Sequence, residues 1–120
     1  MNIELSCNGN VSGNVTWNEV ENALSELKKE AFFRLSIMPW PKTGPVFLEI
    51  ESEDGNYMPS MLVRGGINKV FVNEDGRDKE DVTIGGYDVD AMAVTQDFDL
   101  IVRMIKEFYE TGDISPELLK

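Results

Sequence analysis

The spacing of the apolar residues changes from a helical to a strand period near residue 32 of this 120-residue chain. Between Thr16 and Ala31 the apolar side chains recur every three or four positions, which predicts one amphipathic helix. Between Phe33 and Met38 they alternate with other side chains, which predicts a strand. The fold class must therefore contain both a helix and strands.

The first predicted helix carries clear start signals. Thr16 is a candidate N-cap, and Glu19, three residues later, completes a capping box. Val15 and Val20 are spaced for a hydrophobic staple across the cap. The buried stripe of this helix is predicted to consist of Trp17, Val20, Leu24, Leu27 and Ala31.

Alternating segments separated by turns predict a strand meander. The predicted strands are residues 3–7, 33–38, 46–51, 57–64 and 67–73, with residues 8–14 as a turn-rich link. Pro59 predicts an edge or a bulge in the fourth of them, because proline cannot donate to a ladder. Residues 82–84 and 89–94, around Gly85-Gly86, are interpreted as strand or extended loop.

A second helix is predicted to open at Thr95 or Asp97 and to end at Gly112, a C-terminal cap. Its buried stripe is predicted to be Phe98, Ile101, Val102, Ile105, Phe108 and Tyr109. Leu118 and Leu119 are placed to fold back on it. The element order predicts an α+β fold in one domain of residues 1–120: an antiparallel meander of about five strands with two main helices packed on it.

The charge balance limits the partners that the chain can bind. Acidic residues number 22 against 11 basic ones, so the formal net charge is −11. This charge argues against direct binding of nucleic acid or of an anionic membrane, and it favours a basic protein partner. The N-terminal residues do not resemble a secretory signal, and no apolar run reaches the ~20 residues of a membrane helix. A cytoplasmic location is the expectation.

The residue inventory also excludes familiar catalytic arrangements. The chain has no histidine and a single cysteine, Cys7, so Ser-His pairs, Cys-His pairs and disulfide frameworks are excluded. Glu49 and Glu51 share a strand face and could serve as an acid–base pair, but this spacing is typical of a solvated sheet face. A calcium loop around Gly76 fails, because Phe71 would occupy its first ligand position. No catalytic residue, metal ligand or cofactor is therefore assigned.

The last third of the chain carries a family resemblance. It contains Gly85-Gly86-Tyr87, then a helix that ends in Phe108-Tyr109-Glu110-Thr111-Gly112, and then Pro116-Glu117-Leu118. An earlier helix bears Trp17. On these residues the chain resembles the first-numbered family of bacterial immunity proteins of polymorphic and contact-dependent toxin systems. The similarity is strongest from Phe98 to Leu118.

The resemblance implies inhibition of a toxin and no catalysis. Such a protein would bind and neutralise a cognate C-terminal toxin domain, a basic nuclease or deaminase, in the cytoplasm of the producing cell. The expected partner-binding residues are the acids Glu51, Glu53, Asp54, Glu74, Asp75, Asp78, Glu80, Asp81, Asp88 and Asp90, with Trp40 and Tyr57 as aromatic anchors. Two alternatives stay open: a regulatory adaptor that binds a basic protein, and a small carboxylate- or metal-dependent enzyme.

Overall fold

The fold is built on an antiparallel sheet in a computed structural model that describes residues 1–120. The strands are β1 (Asn2–Cys7), β2 (Asn10–Ser12), β3 (Glu30–Met38), β4 (Gly44–Glu53), β5 (Asn56–Arg64), β6 (Lys69–Val70), β7 (Val82–Ile84) and β8 (Tyr87–Val89). The helices are α1 (Trp17–Leu27) and α2 (Phe98–Thr111), and 3₁₀ turns lie at Glu74–Gly76 and Ala91–Ala93. Neither α1 nor α2 has the length and apolar character of a membrane-spanning helix.

The main sheet has six strands in the order β2-β1-β3-β4-β5-β6, and β7 and β8 form a separate hairpin. The predicted α+β class, with an antiparallel sheet and two helices, is confirmed. The extra strand is β2, which folds back on β1 in what the sequence indicated as a link. Asn8 and Gly9 both have positive φ, 52° and 86°, as a two-residue hairpin turn requires.

Helix α1 begins where the sequence predicts but ends earlier. Both hydrogen bonds of the Thr16–Glu19 capping box are present. The helix stops at Leu27, and Ala31 belongs to β3, where it pairs with Ser52 of β4. Ala31 is still buried, because it lies on the face of the sheet that packs against the helices. The inclusion of Ala31 in the helical stripe is therefore wrong.

Both helices pack on one face of the sheet. The fully buried sheet residues include Phe33, Leu35, Leu48 and Ile50, which follow the alternation that the sequence shows. The helices contribute Leu27, Ile101, Met104, Ile105 and Phe108 to the same core cluster. Leu119 is also buried in it, so the predicted return of the C-terminal tail is confirmed.

The segment after β5 differs most from the prediction. The strand predicted over residues 67–73 is reduced to the two residues of β6, and Ile67 is 90% exposed. Asn73 leaves the sheet because it bonds to the 3₁₀ turn at Ala91–Ala93: its N–H donates to the Met92 carbonyl over 2.6 Å. Residues 82–89 form the β7–β8 hairpin around Gly85-Gly86.

Contacts from separate segments cover the outer edge of β5. The residues of β5 and the groups that contact them are, in chain order, Tyr57 with Thr95, Pro59 with Phe71, Ser60 and Met61 with β6, and Val63 with Asn68. The Pro59 carbonyl accepts the Phe71 N–H over 3.3 Å, so the side of Pro59 that lacks an N–H faces this edge. The prediction of an edge strand is wrong, because β6 lies outside β5, but β6 pairs only with Ser60 and Met61, so no strand partner needs the missing N–H of Pro59.

Candidate functional site

The face of the sheet opposite the helices is the strongest candidate for a functional surface. Neighbouring residues of a strand point to opposite faces of the sheet. The residues that alternate with the buried ones along β3, β4 and β5 therefore form this surface. We call it the outer face and define it by Phe32, Arg34, Phe47, Glu49, Glu51, Met58 and Ser60. These side chains are half-buried, and Phe32 is 40% exposed.

An aromatic cluster with two arginines occupies the centre and one end of the outer face. The Arg34 guanidinium carbon lies 4.1 Å from the centre of the Phe47 ring, and its Nη2 lies 2.7 Å from Glu49 Oε2. Trp40 lies 6.0 Å from Phe47 between ring centres, and Arg64 lies 5.2 Å from the Trp40 ring. The cluster therefore presents aromatic and arginine side chains, which are enriched among residues that dominate binding energy at protein interfaces.

A groove of about 440 Å³ lies at the other end, where the β7–β8 hairpin meets β3 and β4. Its lining includes Glu30, Phe32, Glu51, Ile84, Gly85 and Tyr87. Ile84 is fully buried and the Gly85 N–H donates to Glu53 Oε1 over 3.1 Å, so the hairpin is held against β4. Tyr87 is 75% exposed. We call this site the Glu51 groove.

The carboxylates at the Glu51 groove have no cationic partner within the protein. The ion pairs of the structure are Arg34–Glu49, Lys69–Asp113 and Arg77–Glu74. Burial raises the pKa of the Glu51 carboxyl, and the charge of Glu49 raises it further. A cationic group from another molecule, bound in the groove, would therefore stabilise the ionised carboxylate of Glu51.

The predicted acidic residues divide between two places. Glu51 and Glu53 lie beside the Gly85 turn, and Asp54 occupies the β4–β5 turn with a positive φ of 50°. Glu74 is paired with Arg77, and the Asp90 side chain accepts the Met92 N–H over 2.9 Å as a cap. The other predicted acids of this segment are exposed, Asp88 within β8 and the rest on the chain between β6 and β7: Asp75, Asp78, Glu80 and Asp81.

Of the two predicted aromatic anchors, one is accessible. Trp40 is 42% exposed and lies in the aromatic cluster. Tyr57 is 4% exposed, and its ring centre lies 5.6 Å from that of Phe98 in α2. The prediction of Tyr57 as a surface anchor is wrong, because its register opposite Ser52 turns it toward the helices. The exposed rings that the prediction missed are Phe32 and Tyr87.

The sequence contains a pattern that indicates the exposure of each of these two rings. Phe32 precedes the buried Phe33, so strand alternation puts it on the opposite face. Tyr87 follows the glycine pair Gly85-Gly86 of a tight turn between β7 and β8, and turns commonly lie at the surface. The approach of the Gly85 turn to Glu53 is a long-range contact, and local pattern carries no sign of it.

The structure brings no three or more histidine, cysteine, aspartate or glutamate side chains together in a way that could hold a metal ion. Glu49, one member of the candidate acid–base pair, is engaged by Arg34 through Nε and Nη2, at 3.1 and 2.7 Å. The outer face thus offers aromatic rings, an internal ion pair and uncompensated carboxylates. Such an arrangement is suited to binding.

Glu49 and Glu51 make a matched pair for a stability test. We expect Glu51→Gln to raise the free energy of unfolding near pH 7 by about 0.5 kcal/mol, because the substitution removes a charge that is repelled by Glu49 and partly desolvated. We expect Glu49→Gln to lower it by about 1 kcal/mol, because Arg34 loses its ionic partner. Urea unfolding of both variants measures the two differences.

The gain in Glu51→Gln should depend on pH. Because the folded-state pKa of Glu51 is raised above its ordinary value of 4.5, the folded protein loses stability as pH rises from 4.5 to that raised pKa. Well below pH 4.5 the carboxyl is protonated in both folded and unfolded chains, and the advantage of Glu51→Gln should disappear. An advantage that persists unchanged in acid would show that charge is not its source.

The six-stranded sheet, the two helices and the separate hairpin define a small α+β protein. The chain belongs to the family of unknown function DUF6911, whose model matches residues 3–118. Its structure is similar to the crystal structure of a hypothetical protein from Neisseria gonorrhoeae, with a TM-score of 0.72 and 19% sequence identity. The similarity covers 95% of this chain and 90% of that one, and it shows a shared fold. No curated protein matches the chain.

Proposed function

We propose that this protein is an immunity protein that binds and neutralises a cognate toxin domain directed at nucleic acid, a nuclease or a deaminase. It acts in the cytoplasm of the producing cell, carries out no reaction and needs no cofactor. The toxin docks on the outer face of the sheet. The class of function is suggested by the sequence pattern of residues 98–118, on which the chain resembles immunity proteins.

The observation that carries the proposal is the composition of the outer face. The exposed ring of Trp40, in the aromatic cluster, and that of Phe32 lie on the same face as the unpaired carboxylate of Glu51. A toxin that acts on nucleic acid needs a basic site to attract phosphates. An acidic inhibitor with a net charge of −11 has the complementary sign, which accelerates encounter and disfavours partners of like charge.

Trp40 is the proposed anchor on this face. Its ring is 42% exposed, and contacts with Phe47 and Arg64 limit its freedom. A ring that is already held in place loses little conformational entropy when a partner covers it. Truncation of such an aromatic anchor commonly costs a complex 2 kcal/mol or more.

Co-expression tests the proposal. The toxin domain encoded by the gene next to this one is expressed in a sensitive bacterial host with and without the protein. We expect rescue of growth and a complex that co-purifies. Trp40→Ala should weaken the complex by about 30-fold or more. Glu21→Ala is the control, because Glu21 is an exposed side chain of α1, on the other side of the sheet.

The possible outcomes test the docking surface and the neutralisation of the toxin separately. Absence of both rescue and complex would overturn the proposed function. Rescue that is equally strong with Trp40→Ala and with Glu21→Ala would overturn the outer face as the docking surface. A complex with a basic host protein, formed without any protection from the toxin, would favour the adaptor instead.

A further inference from the structure

We propose that the Glu51 groove binds one arginine side chain of the partner, with the guanidinium group against the exposed ring of Phe32 or Tyr87 and paired with the carboxylate of Glu51. This inference rests on the proposed function for the source of the arginine. It extends that function by naming the chemical group recognised and the site that recognises it.

The neighbouring row of the sheet already holds an arginine in this way. Arg34 lies opposite Glu49 in the β3–β4 register, is paired with it, and stacks on Phe47. Two residues along, Phe32 lies opposite Glu51. At Glu49 the ring of Phe47 lies two residues away on the same strand, whereas at Glu51 the ring of Phe32 lies directly opposite the carboxylate, and this carboxylate has no cation. The groove repeats the composition of a site that the protein itself fills with arginine.

The shape of the donor favours arginine over lysine. A planar guanidinium can stack on an aromatic face and donate two parallel bonds to one carboxylate. The lysine ammonium is more strongly hydrated and has no plane to stack. Because Tyr87 is 75% exposed and Phe32 is 40% exposed, both rings are accessible to such a side chain.

The charge of the groove matches the same occupant. Glu30 and Glu51 line it, and Glu53 holds its hairpin wall through Gly85. The nearest arginine of the sheet, Arg34, is committed to Glu49. A cation that enters therefore meets carboxylates and no competing free base on these strands.

A peptide titration tests the site without the partner. The full chain, labelled with ¹⁵N, is titrated with acetyl-Gly-Arg-Gly-amide and followed by NMR. We expect saturable shifts at the amides of Gly85 and Tyr87, with a dissociation constant of about 1 mM. The same peptide with citrulline, an uncharged isostere of arginine, should bind at least about tenfold more weakly. The lysine peptide should also bind more weakly than the arginine peptide.

Two variants and one control locate the binding. Glu51→Gln should weaken the arginine peptide about tenfold, and Tyr87→Ala should weaken it about threefold, whereas Glu21→Gln, which removes the same charge from α1, should leave it unchanged. Because Glu51→Gln is expected to stabilise the fold, a loss of binding in it does not arise from unfolding. Shifts confined to the exposed acids of residues 74–81, or equal binding of the citrulline or lysine peptide, would overturn the site.

The growth assay distinguishes this inference from the proposed function. A groove that binds the arginine peptide in a protein that gives no rescue would support the site and overturn the toxin as its source. Rescue that survives both Glu51→Gln and Tyr87→Ala at full strength, with no binding of the peptide, would overturn the site and leave the proposed function in place.

Discussion

Replacement of Phe108 by alanine is expected to lower the free energy of unfolding by about 3–5 kcal/mol. The Phe108 side chain is fully buried and belongs to the core cluster that joins α2 to the sheet. Its removal leaves a cavity between two rigid layers that can only partly collapse. Urea denaturation followed by circular dichroism measures the loss.

Tyr109→Phe is the matched control for this prediction. Tyr109 is the next residue of the same helix, half-buried, and its hydroxyl donates to the Val15 carbonyl over 2.9 Å. The variant loses that hydrogen bond and no packing, so the expected loss is about 1 kcal/mol. A loss below about 1 kcal/mol in Phe108→Ala would contradict the packing of α2 on the sheet.

Gly76→Ala is expected to have the second largest effect, a loss of about 2–3 kcal/mol. Gly76 is buried at the end of a 3₁₀ turn that faces the turn at Ala91–Ala93. A Cβ at this position would lie 2.5 Å from the carbonyl carbon of Ala91 and 2.7 Å from the Met92 nitrogen. Backbone atoms cannot turn aside as a flexible side chain can, so the two turns must separate.

The effect of Gly76→Ala should be concentrated in one part of the protein. The turns carry the hydrogen bond from Asn73 to Met92, so hydrogen exchange should accelerate first at residues 73–94. Gly13→Ala is the control, because its Cβ would meet nothing within 4 Å and its φ is not positive. Equal stability of the two variants would contradict the close approach of the turns.

Much of the fold follows from local signals in the sequence. The capping box at Thr16 and the caps at Asp97 and Gly112 define three helix ends through short-range hydrogen bonds and a positive φ of 77° at Gly112. The alternation of β3 and β4 identifies the buried face correctly, because a one-residue shift in register would expose every apolar side chain on it.

The errors lie where long-range pairing overrides a local period. Ala31 continues the helical spacing, but pairing with Ser52 draws it into β3. Residues 67–73 have the composition of a strand, yet only two of them pair, since Asn73 finds better partners at Met92 and Val94. Neither outcome depends on residues that are near in sequence.

The candidate site was predictable in its chemistry more than in its geometry. The acidic character of β4 and the exposure of Trp40 follow from composition and from the prolines around that tryptophan. The orientation of Tyr57 depends on the register across the β4–β5 turn, where Asp54 and Gly55 both adopt positive φ. The Glu51 groove depends on the docking of the β7–β8 hairpin against β4. Gly85 of this hairpin bonds to Glu53, which lies 32 positions earlier in the sequence.

The covering of the β5 edge determines how two copies of this protein can meet. Recruitment of an additional strand needs a continuous row of free amides and carbonyls, which is also how ordered aggregates grow. The row along β5 is interrupted by bonds to Thr95, Phe71, β6 and Asn68, and the opposite margin of the sheet is the three-residue β2. Self-association by sheet extension is therefore disfavoured, and contacts with another protein are left to the side chains of the outer face.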